Sequence, residues 1–213
     1  DIEKKCSLKK VHLYDFTVNH LLFIRIIIKY IRRIITFRTK INNLIYSTKN
    51  YINFIKFKKK INVNLFKMKV VKDVKEKIDI NLEQILARVE SKNNLLKIDI
   101  EGSEYEIIDD ILINSQKIDM LIIEFHWINN KNQIFIESIQ KLKTKFDIVH
   151  IHPNNYRPKK ENEDFFDVVE LTFVNKKINK FNKEFRYSFP IDGLDFECFP
   201  NHKKIEFSFK KNS

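Results

Sequence analysis

Four side chains have the types and the spacing to do acid–base work together. Asp99 and Glu101 alternate just before Gly102, and Glu124 and His126 alternate further along. On a strand, residues two apart share a face, so each pair is presented as a unit. An imidazole with an ordinary pKa near about 6.5 can take a proton from a hydroxyl near neutrality. Carboxylates beside it can orient it, or together with it hold a divalent cation that acidifies a bound hydroxyl. Asp99, Glu101, Glu124 and His126 as donors suit Mg²⁺ or Mn²⁺ better than zinc. Against a metal stands Lys97, which shares a face with Asp99 and is expected to neutralise it as a structural ion pair. No metal is therefore expected; the ligands of one would be Asp99, Glu124 and His126. His126 is the first choice of base because it ends an apolar, central strand. His150 and His152 share a face of a later strand nearer the sheet edge, and each histidine is otherwise an ordinary residue held by local hydrogen bonds. Asn154 and Asn155, after Pro153, offer amide donors and acceptors to a polyhydroxyl substrate, or simply form a turn.

These residues need a scaffold that brings strand ends together. Asn94 to Leu112 reads NLLKIDIEGSEYEIIDDIL. Leu95 to Ile100 alternates as a largely buried strand, with Gly102 as the hinge. Ser103 with Glu106 predicts a capping box, and Ile107, Ile108, Ile111 and Leu112 recur at helical spacing. In α/β proteins such strand-turn-helix corners converge on ligands. Six acidic side chains between Asp99 and Asp110 exclude a phosphate here. Lys117 to Trp127 is a continuous apolar run suited to a central strand. Asn132 to Phe146 predicts a helix buried through Phe135, Ile139, Leu142 and Phe146. Asp147 to His152 and Asp167 to Val174 predict strands, with Ile148 to Ile151 and Val168 to Val174 paired as a closing hairpin.

Upstream, Lys10 to Tyr14 is a short strand that delivers Asp15 at its end. Residues 21 to 37 form a basic amphipathic helix with Arg25, Lys29, Arg32 and Arg33 on one side. It either packs on the sheet with its cations outward or lies in a membrane interface. Thr39 to Lys77 has a weaker pattern, read as helical or irregular followed by short strands around Ile52 to Phe57 and Val63 to Val71. Asn81 to Val89 predicts a short helix. The alternation of strand and helix implies one α/β domain over 1–213 with a mainly parallel sheet and an antiparallel C-terminal hairpin. Residues 20–77 would be an insertion and 175–213 a C-terminal extension ending in an alternating segment, Ile205 to Phe209.

Composition narrows the function. Two glycines, Gly102 and Gly193, exclude a G-x-G cofactor loop within the chain. The net charge of +12 fits a solvated surface or an anionic membrane or glycan; no motif supports nucleic acid as partner. Cys6 and Cys198 have neither metal-ligand nor disulfide spacing, which fits a reducing, cytoplasmic setting, with residues 21–37 as the point of any peripheral membrane contact.

Lys97-Ile98-Asp99-Ile100-Glu101-Gly102-Ser103-Glu104 resembles the K-x-D-x-E-G-x-E signature of FkbM-type S-adenosylmethionine-dependent methyltransferases. Val11 to Thr17 (VHLYDFT), HWINN, HIHPNN, DVVELTFV and the tail FPIDGLD are similar to that family in order and spacing. The resemblance implies a Rossmann-like class I methyltransferase fold and S-adenosylmethionine as cofactor. It also implies O-methylation of a sugar or glycan hydroxyl. Asp15 would hold the cofactor ribose; His126, Asp99 and Glu101 would form the catalytic corner; His152, Asn154 and Asn155 would meet the acceptor. The family's first strand and glycine-bearing loop are expected ahead of Asp1, so the chain is expected to lack its first strand. The rival reading is a non-catalytic, truncated module that binds membrane or glycan through its basic helix. A nicotinamide-dependent sugar enzyme is a weaker one, because the corner is not its signature.

Overall fold

A computed structural model describes residues 10–60, 62–155, 166–180, 188–198 and 205–208. Cys6, the charged loop from Arg157 to Asp164 and Phe209 lie outside the described residues. The chain divides into two compact units, 1–80 and 81–213.

In the first unit β1 (Val11–Tyr14) pairs in parallel with β2 (Val63–Phe66), Val11 opposite Val63 and Tyr14 opposite Phe66. The Tyr14 and Phe66 rings stack across the pair at 4.8 Å. Between these strands run two helices, α1 (His20–Ile35) and α2 (Ile41–Lys58). The Asn19 side chain caps α1 by accepting from the Leu22 N–H at 3.0 Å. Phe23 of α1 stacks on Tyr51 and Phe54 of α2, at 5.4 and 4.8 Å. The expected strand at Ile52 to Phe57 is therefore the end of α2. Its β-branched and aromatic residues favour a strand locally, but Phe54 is used at helical spacing against α1, and packing overrides propensity. Residues Val63 to Val71 do form strands, β2 and then β3 (Lys69–Val70), which pairs in parallel with β4 (Asp79–Ile80).

The second unit opens with α3 (Leu82–Ala87). Its capping box is reciprocal: Asn81 Oδ1 accepts from the Gln84 N–H at 2.9 Å, and Gln84 Oε1 accepts from the Asn81 N–H at 3.2 Å. Then come β5 (Leu95–Ile98), α4 (Ile108–Ile113), β6 (Met120–Phe125), α5 (Asn132–Leu142), β7 (Phe146–Pro153) and β8 (Val169–Asn175). The sheet order is β5-β6-β8-β7. β5 and β6 are parallel, while β8 runs antiparallel to both β6 and β7. The parallel ladders thus lie upstream and the antiparallel hairpin closes the C-terminal edge, as expected. β9 (Ser188–Phe189) and β10 (Phe207–Ser208) form a small antiparallel pair.

β6 is interior, and Leu121, Ile123 and Phe125 are fully buried. These three alternate onto one face, where they share a core with Ile107, Ile108 and Ile111; on the other face Ile122 is buried but Met120 is exposed, so the expected cover of both faces is complete on one only. Each buried side chain of this kind contributes about 1.5–3 kcal/mol. Phe135, Ile139 and Leu142 pack α5 on this core; Phe146, also fully buried, already belongs to β7 rather than to the helix.

Candidate active site

Parallel register brings the carboxyl ends of β5 and β6 side by side, Ile98 opposite Ile123. The next residues, Asp99 on one side and Glu124 to His126 on the other, therefore emerge at one corner. β5 ends at Ile98, two residues short of the expected strand, because the chain turns at Glu101 (φ 54°) and Gly102 (φ 102°). Gly102 is required twice over. Its φ favours glycine, and an added Cβ would lie 2.8 Å from Cδ1 and Nε1 of Trp127. Trp127 is itself left-handed at φ 60°. Lys131 ties the corner from α5's start: its Nζ donates to the Gly102 carbonyl at 2.8 Å and sits 4.8 Å over the Tyr105 ring.

The expected capping box of Ser103 and Glu106 does not form. Ser103 makes no side-chain cap bond, and the helix begins as a 3₁₀ turn over Glu104–Ile107. The turn is closed instead by Glu104, whose Oε1 accepts from the N–H groups of Ile100 and Gly102, both at 3.1 Å. Nor does Lys97 pair with Asp99. Their alternation puts them on one side, but Lys97 reaches across β6 to Glu170 of β8.

Glu104 is completely buried and its Oε1 lies 2.9 Å from His126 Nδ1. That contact places a proton on Nδ1 and leaves Nε2 facing Asp99 Oδ1 at 3.8 Å and Glu101 Oε2 at 3.7 Å. Both are beyond hydrogen-bond distance, so Nε2 is presented rather than consumed. Burial works against charge on His126, but the hydrogen bond and the charge of Glu104, with Glu101 and Glu124 beyond, win and raise its pKa above the imidazole's ordinary value. Burial likewise works to raise Glu104, and the bonds from His126 and the Gly102 N–H outweigh it, holding this carboxyl below the usual range. Glu124 is raised, chiefly by burial and also by Asp99, against the hydrogen bond from Asn154. Tyr105, whose hydroxyl donates to the His126 carbonyl at 2.8 Å, is kept protonated by burial and by Glu104.

The expected site residues thus separate into groups. Asp99, Glu101 and His126 converge, each offering a ligand atom within 4.8 Å of the others. In place of Glu124 the group contains Glu101; Glu124 Oε1 accepts from Asn154 Nδ2 at 2.8 Å. Asn154 therefore joins the corner. His152 does not: its Nδ1 lies 3.1 Å from Asp195 Oδ1, which also meets His150 Nε2 at 2.7 Å. Asp195 Oδ2 accepts from the Ile191 N–H at 2.6 Å, and Cys198 Sγ is 3.8 Å from His152 Nε2. His150, His152 and Asp195 are a second set of ligand-type atoms within 4.8 Å. The cavity beside them, lined by His152, Asn155 and Asp195, is about 20 Å³, room for a water but not for a sugar. Asn155 is buried there. Asp15, in the first unit, follows β1 and accepts at Oδ1 from the N–H and hydroxyl of Thr17, both at 2.7 Å, and from the Val18 N–H at 3.0 Å.

Two residues of these groups carry no expected role from the sequence, although each closes a family-like motif, Glu104 the run from Lys97 and Asp195 the tail FPIDGLD. Glu104 has a signal there, since it falls on the helical face of Ile107, Ile108 and Ile111, where a carboxylate needs a partner. For Asp195 nothing local points to its partners, His150 and His152, which are more than forty residues away.

A family model described as Methyltransferase FkbM domain matches residues 38–157, more than half of the chain and all of the corner. No curated protein and no solved structure matches the chain.

Proposed function

This chain belongs to the FkbM methyltransferase family, and we propose that it is an S-adenosylmethionine-dependent O-methyltransferase acting on a sugar or glycan hydroxyl. The observation that carries this reading is the buried Glu104–His126 pair, which holds one imidazole nitrogen and presents the other beside Asp99 and Glu101. S-adenosylmethionine supplies a sulfonium-bound methyl that an oxygen nucleophile displaces in line, the C–S electron pair staying on sulfur. His126 Nε2 takes the hydroxyl proton as the C–O bond forms, and Glu104, with Glu101 and Asp99, stabilises the resulting imidazolium. Asn154, held on Glu124, would orient a polyhydroxyl acceptor. Asp15 fits the cofactor ribose: the turn through Thr17 and Val18 uses one carboxylate oxygen, and a carboxylate accepts on both.

The test is transfer of a labelled methyl group from S-adenosylmethionine to a panel of saccharides, with cofactor binding followed by calorimetry. Transfer should fall about 10²- to 10⁴-fold in His126→Ala, and cofactor binding should weaken in Asp15→Ala. Unchanged transfer by His126→Ala would remove the base assignment, and absence of cofactor binding would favour the non-catalytic reading.

A specific arrangement favours one variation on this chemistry. A carboxylate behind a histidine whose far nitrogen faces two more carboxylates is the pattern of a metal-binding imidazole and its supporting partner. Asp99, Glu101 and His126 would then hold a Mg²⁺-like cation that acidifies the acceptor hydroxyl.

A further inference from the structure

We propose that α1 docks the protein on an anionic lipid bilayer, lying in the plane of the interface. This stands apart from the methyl-transfer reading and from the residues that carry it.

Charge is segregated along the sequence. From Phe16 to Lys72 there is no aspartate or glutamate and there are fourteen lysines and arginines, more than the chain's whole net charge of +12. The remainder is therefore slightly acidic, and the basic character belongs to the helical pair and its flanks.

The surface of α1 falls into three bands. Phe23, Ile26, Ile27, Tyr30 and Ile34 are half-buried, and Phe23 shows by its ring contacts that this band faces α2. Ile24, Ile28, Ile31 and Ile35 recur at helical spacing on a different face and are exposed at 41%, 43%, 42% and 71%. Arg25, Lys29, Arg32 and Arg33, all exposed, form the third band, beside the isoleucines. No residue of α1 is buried. α2 continues the theme with exposed Ile41, Ile45 and Ile52 near Lys49 and Lys56.

An aliphatic stripe of this length in water is unfavourable, and the cations beside it select what covers it. A bilayer with anionic headgroups satisfies both bands: the isoleucines enter the acyl boundary and the arginines and lysines stay at headgroup level. A nucleic acid would use the cations but leave the isoleucines in water, since stacking on bases calls for aromatic rings. Among the described residues no helix is long and apolar enough to cross a membrane, so the contact is one of lying on the surface.

Co-sedimentation of the full chain with vesicles tests this, using phosphatidylcholine alone or with one third phosphatidylglycerol. Binding is expected only to the anionic vesicles, and to weaken with added salt. It should fall at least tenfold in Arg25→Glu/Arg32→Glu and also in Ile24→Ser/Ile28→Ser/Ile31→Ser. Both variants change exposed side chains, and circular dichroism checks that helix is retained. Absence of wild-type binding to anionic vesicles would overturn the proposal. So would full binding by the serine variant, which would reduce the effect to general charge, or stronger retention on single-stranded RNA than on anionic vesicles.

Discussion

Glu104 holds His126: a fully buried carboxylate lies 2.9 Å from Nδ1 of the imidazole whose other nitrogen faces Asp99 and Glu101. The same oxygen closes the turn after β5 by accepting from Ile100 and Gly102. The orientation of the imidazole and the shape of the corner therefore depend on one side chain.

The first expectation concerns pH and rate. With its pKa raised, His126 becomes a free base only above the ordinary imidazole value, so methyl transfer should rise with pH through a midpoint above about 6.5. Glu104→Gln removes the largest raising influence and should move that midpoint down as it lowers the rate. A pH–rate profile and the imidazole proton shifts of His126 by NMR check this. An unmoved midpoint would leave Glu104 a purely structural role.

Stability follows from the same pair, with opposite signs at the two ends. The His126 contribution is complete below about 6.5 and is lost as pH rises through its raised folded value; the Glu104 contribution is complete above about 4.5 and is lost as pH falls through its lowered one. Melting temperature should thus be highest between these limits. The maximum should flatten in Glu104→Gln, measured by thermal unfolding across pH.

Gly102→Ala should destabilise by about 1–3 kcal/mol, because a Cβ there meets Trp127 at 2.8 Å on a backbone of φ 102°. Trp127 is the chain's single tryptophan, so its fluorescence reports the displacement directly. Gly102→Ala combined with Trp127→Ala should lose less than the sum of the two single changes.

Asp195→Asn should cost about 1–3 kcal/mol, since it weakens the hydrogen bonds to His150 and His152 that fasten the tail to β7. Burial favours the neutral acid, yet the Ile191 N–H and His150 outweigh it and lower this pKa. The stability difference from wild type should be present above about 3.8 and shrink as pH falls below it, as denaturant titrations at several pH values would show.

The cation variation makes its own demand. Mn²⁺ titrated into chelator-treated protein should bind, and Asp99→Asn with Glu101→Gln should abolish the binding signal. Methyl transfer that survives exhaustive chelation would remove the metal from the reaction.

Much of this corner is legible in the residues alone. The alternation of Leu95 to Ile98, the hinge at Gly102, the apolar run of β6 and the hairpin of β7 with β8 are local patterns of period and turn chemistry, and local patterns survive folding when packing agrees with them. Ile52 to Phe57 shows the limit: β-forming residues become helix because Phe54 has a partner in Phe23. Ser103 shows another, since a capping motif yields when a buried carboxylate one residue on closes the same turn.

The sequence by itself determined the candidates for the corner, because Asp99 and Glu101, like Glu124 and His126, stand where an apolar run ends and the chain must turn. Tertiary structure decided what each side chain does there. The antiparallel ladders of β6, β8 and β7 set Glu124 on Asn154, the parallel pairing of β5 with β6 set Glu101 beside His126, the reach of Lys97 sent it to Glu170, and the return of the tail claimed His152 for Asp195. Hydrogen bonds and charges act over a few ångströms in space, whatever the distance along the chain, and only the fold brings those atoms within range.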